Sequence, residues 1–126
     1  NSHLEFYDAC TANTMRSLQA GAKGMSAVSG NFYPEILVWM CNNATHPDKQ
    51  ADVQYMQEQL TRAEAVIAKG YPASSKYFLQ KRGLPIEPII RNKKIKLKKK
   101  NIEALDAMYQ TFLGWCDRIG IEPVKL

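Results

Sequence analysis

Residues 18–34, Leu-Gln-Ala-Gly-Ala-Lys-Gly-Met-Ser-Ala-Val-Ser-Gly-Asn-Phe-Tyr-Pro, restrict what this chain can fold into more than any other stretch. Gly21 suits the position just past a helix end, where a positive φ costs glycine nothing. Gly24 permits a close turn into Met25, Ser26, Ala27 and Val28, four small or apolar residues without alternation. Such a run fits a strand covered on both faces, which is typical of parallel sheets, better than it fits a short buried helix. Ser29, Gly30 and Asn31 then release the chain at the carboxyl end of that strand, where α/β folds place their chemistry. Pro34 opens the next helix from its first turn, and Glu35 complements the positive end of the helix dipole.

The remaining elements fall around this stretch. Residues 4–7 predict a short strand and residues 8–11 a loop. Thr11 or Asn13 caps a helix to about Ala20, with Met15 and Leu18 turned inward. The helix after Pro34 carries Ile36, Leu37, Val38, Trp39 and Met40, apolar almost all round, and must be covered on several sides. After a polar break at residues 42–46, Thr45 or His46 caps a long helix with Pro47 in its first turn. Val53, Met56, Leu60, Ala63 and Ile67 recur there at steps of three and four, and Gly70 ends it. A further helix runs from Tyr71-Pro72 to Lys81 or Arg82, with Tyr77, Phe78 and Leu79 available to a core and Gly83 as its stop. Residues 84–91 hold Pro85 and Pro88 and read as extended. Asn101 caps a last helix striped by Ile102, Leu105, Tyr109, Phe112, Cys116 and Ile119 and stopped by Gly120.

Five helices and two strands leave a structural deficit. Two strands do not make an independently stable sheet, and both outer edges of a parallel pair stay unpaired. Burying each large side chain of the long helix is worth roughly 1.5–3 kcal/mol, so the carboxyl-terminal helices can pack among themselves. The amino-terminal β-α-β-α segment lacks strands to complete it and reads as a piece of something larger.

Composition excludes several classes. The 126 residues fit one domain and are 45% hydrophobic, which argues against wholesale disorder. No apolar run reaches membrane-spanning length, and no signal peptide is recognisable. Cys10, Cys41 and Cys116 are odd in number and widely spaced, so buried free thiols in a reducing cytoplasm are expected rather than disulfides or a zinc site. His3 and His46 belong to no ligand pattern, and no metal or cofactor is expected.

The residues then carry a family resemblance. Gly21-Ala22-Lys23-Gly24-Met25-Ser26-Ala27-Val28-Ser29-Gly30-Asn31, followed by Pro34-Glu35, resembles the last barrel strand of the dihydrodipicolinate synthase and N-acetylneuraminate lyase family. Pro72-Ala73-Ser74-Ser75-Lys76 is similar to that family's proline-x-x-lysine helix entry. Residues 79–84 resemble its leucine and glycine step, and Arg91 its arginine before the final helix. The resemblance spans essentially the whole chain but only the final third or so of a family member. It implies an α/β fold: the last two β/α units of a (β/α)8 TIM barrel over residues 1–45, and a carboxyl-terminal helical region over residues 46–126. It implies a class I lyase or aldolase in which a lysine forms a Schiff base with pyruvate or another 2-oxo acid and a tyrosine relays protons. Both of those residues lie on strands upstream of the part seen here, so this chain alone is expected to be inactive. Implied partners are the missing amino-terminal barrel portion, a small 2-oxo acid substrate and further copies in a dimer or tetramer. Neither a membrane nor a nucleic acid is expected.

The same resemblance puts Ala9, Cys10, Thr11, Ser26 and Ser29 on the rim of a substrate site. Sialic-acid members carry an Asp-Glu pair where Ala9, Cys10 and Thr11 stand, which argues against sialic acid. Ser26 occupies a position where synthase members usually have isoleucine. Each candidate has a plainer explanation. Ser26 and Ser29 are small enough to let elements approach closely, Asn31 can hold its loop by side-chain to backbone bonds, and Tyr7 fits a strand-packing aromatic. Cys10 reads as a small buried thiol before a reactive one. Residues 91–100 hold seven basic side chains and no acid. Ile95 and Leu97 alternate with the lysines, which predicts an extended segment with one packed and one solvated face. No aromatic residues interleave for base stacking. The alternative to the enzyme is a non-catalytic helical module whose basic run binds an anionic partner.

Overall fold

A computed structural model describes residues 3–126; Asn1 and Ser2, which open the expected barrel segment 1–45, lie outside the described residues. The chain divides into two compact units, Asn1–Thr61 and Arg62–Leu126.

In the first unit, β1 (Tyr7–Asp8) and β2 (Gly24–Met25) pair in parallel, Tyr7 opposite Gly24 and Asp8 opposite Met25. Lys23 N–H to Phe6 O (2.9 Å) and Ser26 N–H to Asp8 O (2.8 Å) extend the ladder by one bond at each end. The expected strands at 4–7 and 25–28 are therefore shorter and displaced, β1 taking in Asp8 and β2 Gly24, and the second is not covered on both faces. Ser26 and Val28 are exposed, and residues 28–31 coil into a 3-10 turn. The cause is pairing: among the described residues each strand has one neighbour, and a regular strand needs a partner to take its hydrogen bonds. Gly24 has its own reason for lacking a side chain, since an added Cβ would lie 3.1 Å from the Tyr7 ring.

Between the strands, a 3-10 turn at Thr11–Asn13 leads into α1 (Thr14–Gln19). Asn13, one of the two expected caps, takes the N-cap position of α1 but makes no side-chain cap bond, and Thr11 opens the turn before it. The helix ends as glycine predicts. Gly21 takes φ +103°, its N–H reaches Leu18 O, and Ala22 N–H reaches Ser17 O, the paired bonds of a Schellman ending. The next helix, α2 (Pro34–Asn43), begins at Pro34 with Glu35 in its first turn. Ile36, Leu37, Trp39 and Met40 are buried with Phe32, Tyr33 and Leu18, whereas Val38 is 57% exposed. His46 caps the turn Pro47–Lys49 through its Nδ1, which accepts from Asp48 N–H at 3.2 Å, and α3 (Gln50–Ile67) follows. Val53, Met56 and Leu60 are fully buried, as their spacing requires.

The second unit packs the end of α3, where Ala63 and Ile67 are buried, with α4 (Ala73–Lys81) and α5 (Lys99–Ile119). Phe78 meets Tyr109 (5.9 Å) and Phe112 (6.1 Å) edge to face, and the Arg82 guanidinium lies 4.8 Å from the Phe112 ring. Tyr77 and Leu79 are only half-buried. Leu105, Phe112 and Cys116 are buried, Ile102, Tyr109 and Ile119 half-buried, and Met108 and Trp115 widen the apolar stripe beyond its expected line. Asn101 is not the cap of α5 but its third residue. Its Oδ1 accepts the Lys98 N–H at 3.1 Å while its own N–H bonds Lys98 O at 2.9 Å. Residues 84–98 run without regular structure, apart from turns.

Candidate functional site: the carboxyl ends of the paired strands

Because β1 and β2 are parallel and in register, their carboxyl ends open on the same side. The loop after β1 starts at Ala9 and the loop after β2 at Ser26, so the five expected rim residues do gather at one end of the strand pair. Their environments differ sharply. Ala9, Cys10 and Ser26 are exposed; Thr11 and Ser29 are buried. The Thr11 and Ser29 hydroxyls share a 2.8 Å hydrogen bond across 18 residues of sequence, which joins the two loops. Cys10 and Cys41 are exposed, which corrects the expectation of buried thiols; only Cys116 is enclosed.

Residues that the sequence reading did not single out hold the first loop. Asp8 accepts the Cys10 N–H at Oδ1 (2.8 Å) and the Ser17 hydroxyl at Oδ2. The Ser17 hydrogen bond, followed by the Cys10 amide, holds the Asp8 carboxyl below the usual carboxylate range. Thr14 Oγ donates to Thr11 O at 2.8 Å. Gln57 on α3 accepts the Met15 N–H at 2.7 Å and donates to Thr11 O at 3.0 Å and to Thr61 Oγ at 3.1 Å. A signal for Gln57 was present: it follows Val53 by four residues, on the buried face of a long helix, where a polar side chain has to find partners.

Beside β2 lies an open depression of about 510 Å³, bounded by Met25, Ser26, Gly30, Leu37, Val38 and Cys41. Pro34, Val38 and Cys41 follow one another at helical spacing, which explains why Cys41 is exposed alongside Val38. Packing around its sulfur nevertheless pushes the Cys41 thiol above its ordinary value, which disfavours a thiolate. Among the described residues no group of three or more His, Cys, Asp or Glu side chains is arranged to hold a metal ion, and no helix is long and apolar enough to cross a membrane.

No lysine occurs in residues 9–13 or 26–31, the stretches that leave the strand ends. Lys23 directly precedes β2 and so sits at its amino end, away from the rim. Lys76, at the start of α4, donates to Ile89 O. The rim therefore offers a serine hydroxyl, a thiol and backbone groups, which can contact a small ligand but include no amine to attack a carbonyl.

The sequence pattern of the dihydrodipicolinate synthetase family matches residues 3–111, most of the chain. The chain belongs to that family. Membership brings a lyase or aldolase-type enzyme family and a TIM-barrel fold, and the chain itself is mostly helical with a small two-stranded parallel sheet. Among curated proteins and solved structures, none matches the chain.

Proposed function

We propose that the chain is the carboxyl-terminal part of a class I lyase or synthase acting on pyruvate or another 2-oxo acid through a lysine Schiff base. Residues 1–45 supply the final strands and helices of the barrel, and residues 46–126 its carboxyl-terminal helical region. The observation that carries this reading is the parallel strand pair whose two carboxyl-terminal loops are tied by the Thr11–Ser29 hydrogen bond. In a closed barrel that end of the strands is the mouth of the active site.

The chemistry requires a neutral amine that attacks the 2-oxo carbon; the carbonyl oxygen takes up a proton and departs as water, leaving an iminium that acts as an electron sink. Such an amine needs a lowered pKa, set by burial or a neighbouring cation. That lysine and the proton-relaying tyrosine belong to strands outside this chain, so the chain alone is inactive. Its contribution is one wall of the site. Ser26, Ala9 and Cys10 are exposed toward the rim, while Thr11 and Ser29 fix the loops that present them. The whole enzyme works in the cytoplasm as a dimer or tetramer.

Borohydride trapping with pyruvate and related 2-oxo acids tests the proposal. The complete protein should form a stable lysine adduct and the isolated chain none. An adduct on a lysine of this chain would refute its supporting role, and no adduct on the complete protein would refute the enzyme assignment.

A further inference from the structure

The second unit contains a hollow that shares no residue with the strand-end loops described above. It has a volume of about 460 Å³ and lies where the end of α3 meets the start of α5. Five lysines line it: Lys69, Lys94, Lys96, Lys98 and Lys100. They arrive from two separate parts of the chain, Lys69 from the segment after α3 and the other four from the approach and first turn of α5. No carboxylate lines the hollow, and among the described residues none of these five ammonium groups is within ion-pair distance of an acidic side chain. The neighbouring Lys99, which does not line it, is the one that reaches toward Glu103, at 4.0 Å. The floor is apolar, with Val66, Ile95 and Ala104. The backbone is held in place as well. Gly70 takes φ +74°, and a Cβ there would meet Leu97 Cδ2 at 2.7 Å, so Leu97 packs down while the flanking Lys96 and Lys98 stay exposed.

Five like charges gathered without counter-charge repel one another, and a multivalent anion seated among them removes that repulsion. We propose that this hollow binds a small compound bearing a di- or triphosphate group. Lysines suit phosphate oxygens as point charges without demanding the planar geometry of a carboxylate. The positive end of the α5 dipole adds to the same field. A nucleic-acid strand fits less well: no aromatic side chain lines the hollow for base stacking, and the five lysines border a single concavity.

Titration calorimetry on the full chain, with tripolyphosphate as the probe, tests this. Tripolyphosphate should bind with about one site per chain and more tightly than inorganic phosphate. Its affinity should weaken as salt rises from about 0.02 to about 0.3 M, because these charges are exposed. The triple variant Lys96→Gln/Lys98→Gln/Lys100→Gln should bind at least about tenfold more weakly. The charge-matched triple Arg91→Gln/Lys93→Gln/Lys99→Gln, from the same run but outside the hollow, should bind within about twofold of the parent. Circular dichroism on both triples checks that the fold is kept, and should either unfold, the single variants Lys98→Gln and Lys99→Gln make the same comparison. Equal loss in the two sets would mean diffuse charge attraction and would overturn the proposal. So would absence of binding at low salt, or tighter binding of an oligonucleotide than of tripolyphosphate.

Discussion

Two polar pairs show how single residues set local stability here. Thr11 and Ser29 are both buried, so each hydroxyl depends on the other for a partner. Ser29→Ala should destabilise the first unit by about 1–3 kcal/mol, because a buried hydroxyl left unsatisfied loses its hydration without compensation. Adding Thr11→Val should recover part of that loss, and a denaturation double-mutant cycle reads the coupling. On the second unit Tyr77 donates to Asp106 at 2.7 Å, and Lys81 lies 3.1 Å from the same carboxylate. The hydrogen bond to Asp106, with burial and the negative charge behind it, pushes the Tyr77 hydroxyl up from 10.0 to about 12. The same bond, followed by Lys81, holds Asp106 below its ordinary 3.8. A raised acid stabilises the fold below its unfolded value and stops doing so as pH climbs through the folded one; a depressed carboxyl does the reverse on the acid side. The pair is only partly buried, so Tyr77→Phe should cost only about 0.5–1 kcal/mol. That difference in denaturation midpoint should be constant between 3.8 and 10.0. It should shrink as pH rises toward about 12, and again as pH falls below Asp106's ordinary value.

At the scale of elements, α5 carries the second unit. Its buried side chains Leu105, Met108, Phe112, Trp115 and Cys116 follow helical spacing, and Phe112 is in ring contact with Phe78 and Tyr109 and lies under Arg82. Phe112→Ala should remove about 3–5 kcal/mol, the usual cost of emptying a fully enclosed aromatic site. Thermal unfolding followed by circular dichroism should then show loss of the cooperative transition for α4 and α5. The strands behave differently. Each keeps two residues because among the described residues it has one neighbour, so their length is a property of the pairing and not of their own sequences.

For the molecule as a whole, the first unit leaves Phe6, Tyr7, Val28 and Val38 exposed, around a sheet that has two strands and unpaired outer edges among the described residues. Such surfaces bind partners or aggregate. The isolated chain should therefore bind a hydrophobic dye and sediment faster than a 14.3 kDa monomer. On the proposed barrel, supplying six preceding β/α units should abolish dye binding. A well-behaved monomer without dye binding would contradict that expectation. In the completed enzyme, Ser26→Phe should raise KM or abolish turnover while leaving the unfolding midpoint nearly unchanged, since Ser26 is exposed and sits on the proposed rim. A midpoint drop comparable to that of Ser29→Ala would instead make Ser26 a packing residue.

What the sequence determined by itself was whatever depends on local periodicity and backbone chemistry. The stripe of α3, most of that of α5, the Pro34 helix start and the left-handed glycines at 21, 70, 83 and 120 all follow from spacing or from conformations that only certain residues adopt cheaply. The ordered set around residues 21–35 and 72–76 also made the family legible. Tertiary structure alone decided which small polar residues are enclosed. Thr11 and Ser29 are buried against each other, Ser26 and Cys10 face out, and Gln57 reaches back to the loop after β1. It also decided that Lys69 joins four lysines from the approach and first turn of α5 around one hollow. Those outcomes depend on which distant segments meet, and the periodicity of a single segment holds no record of its partners.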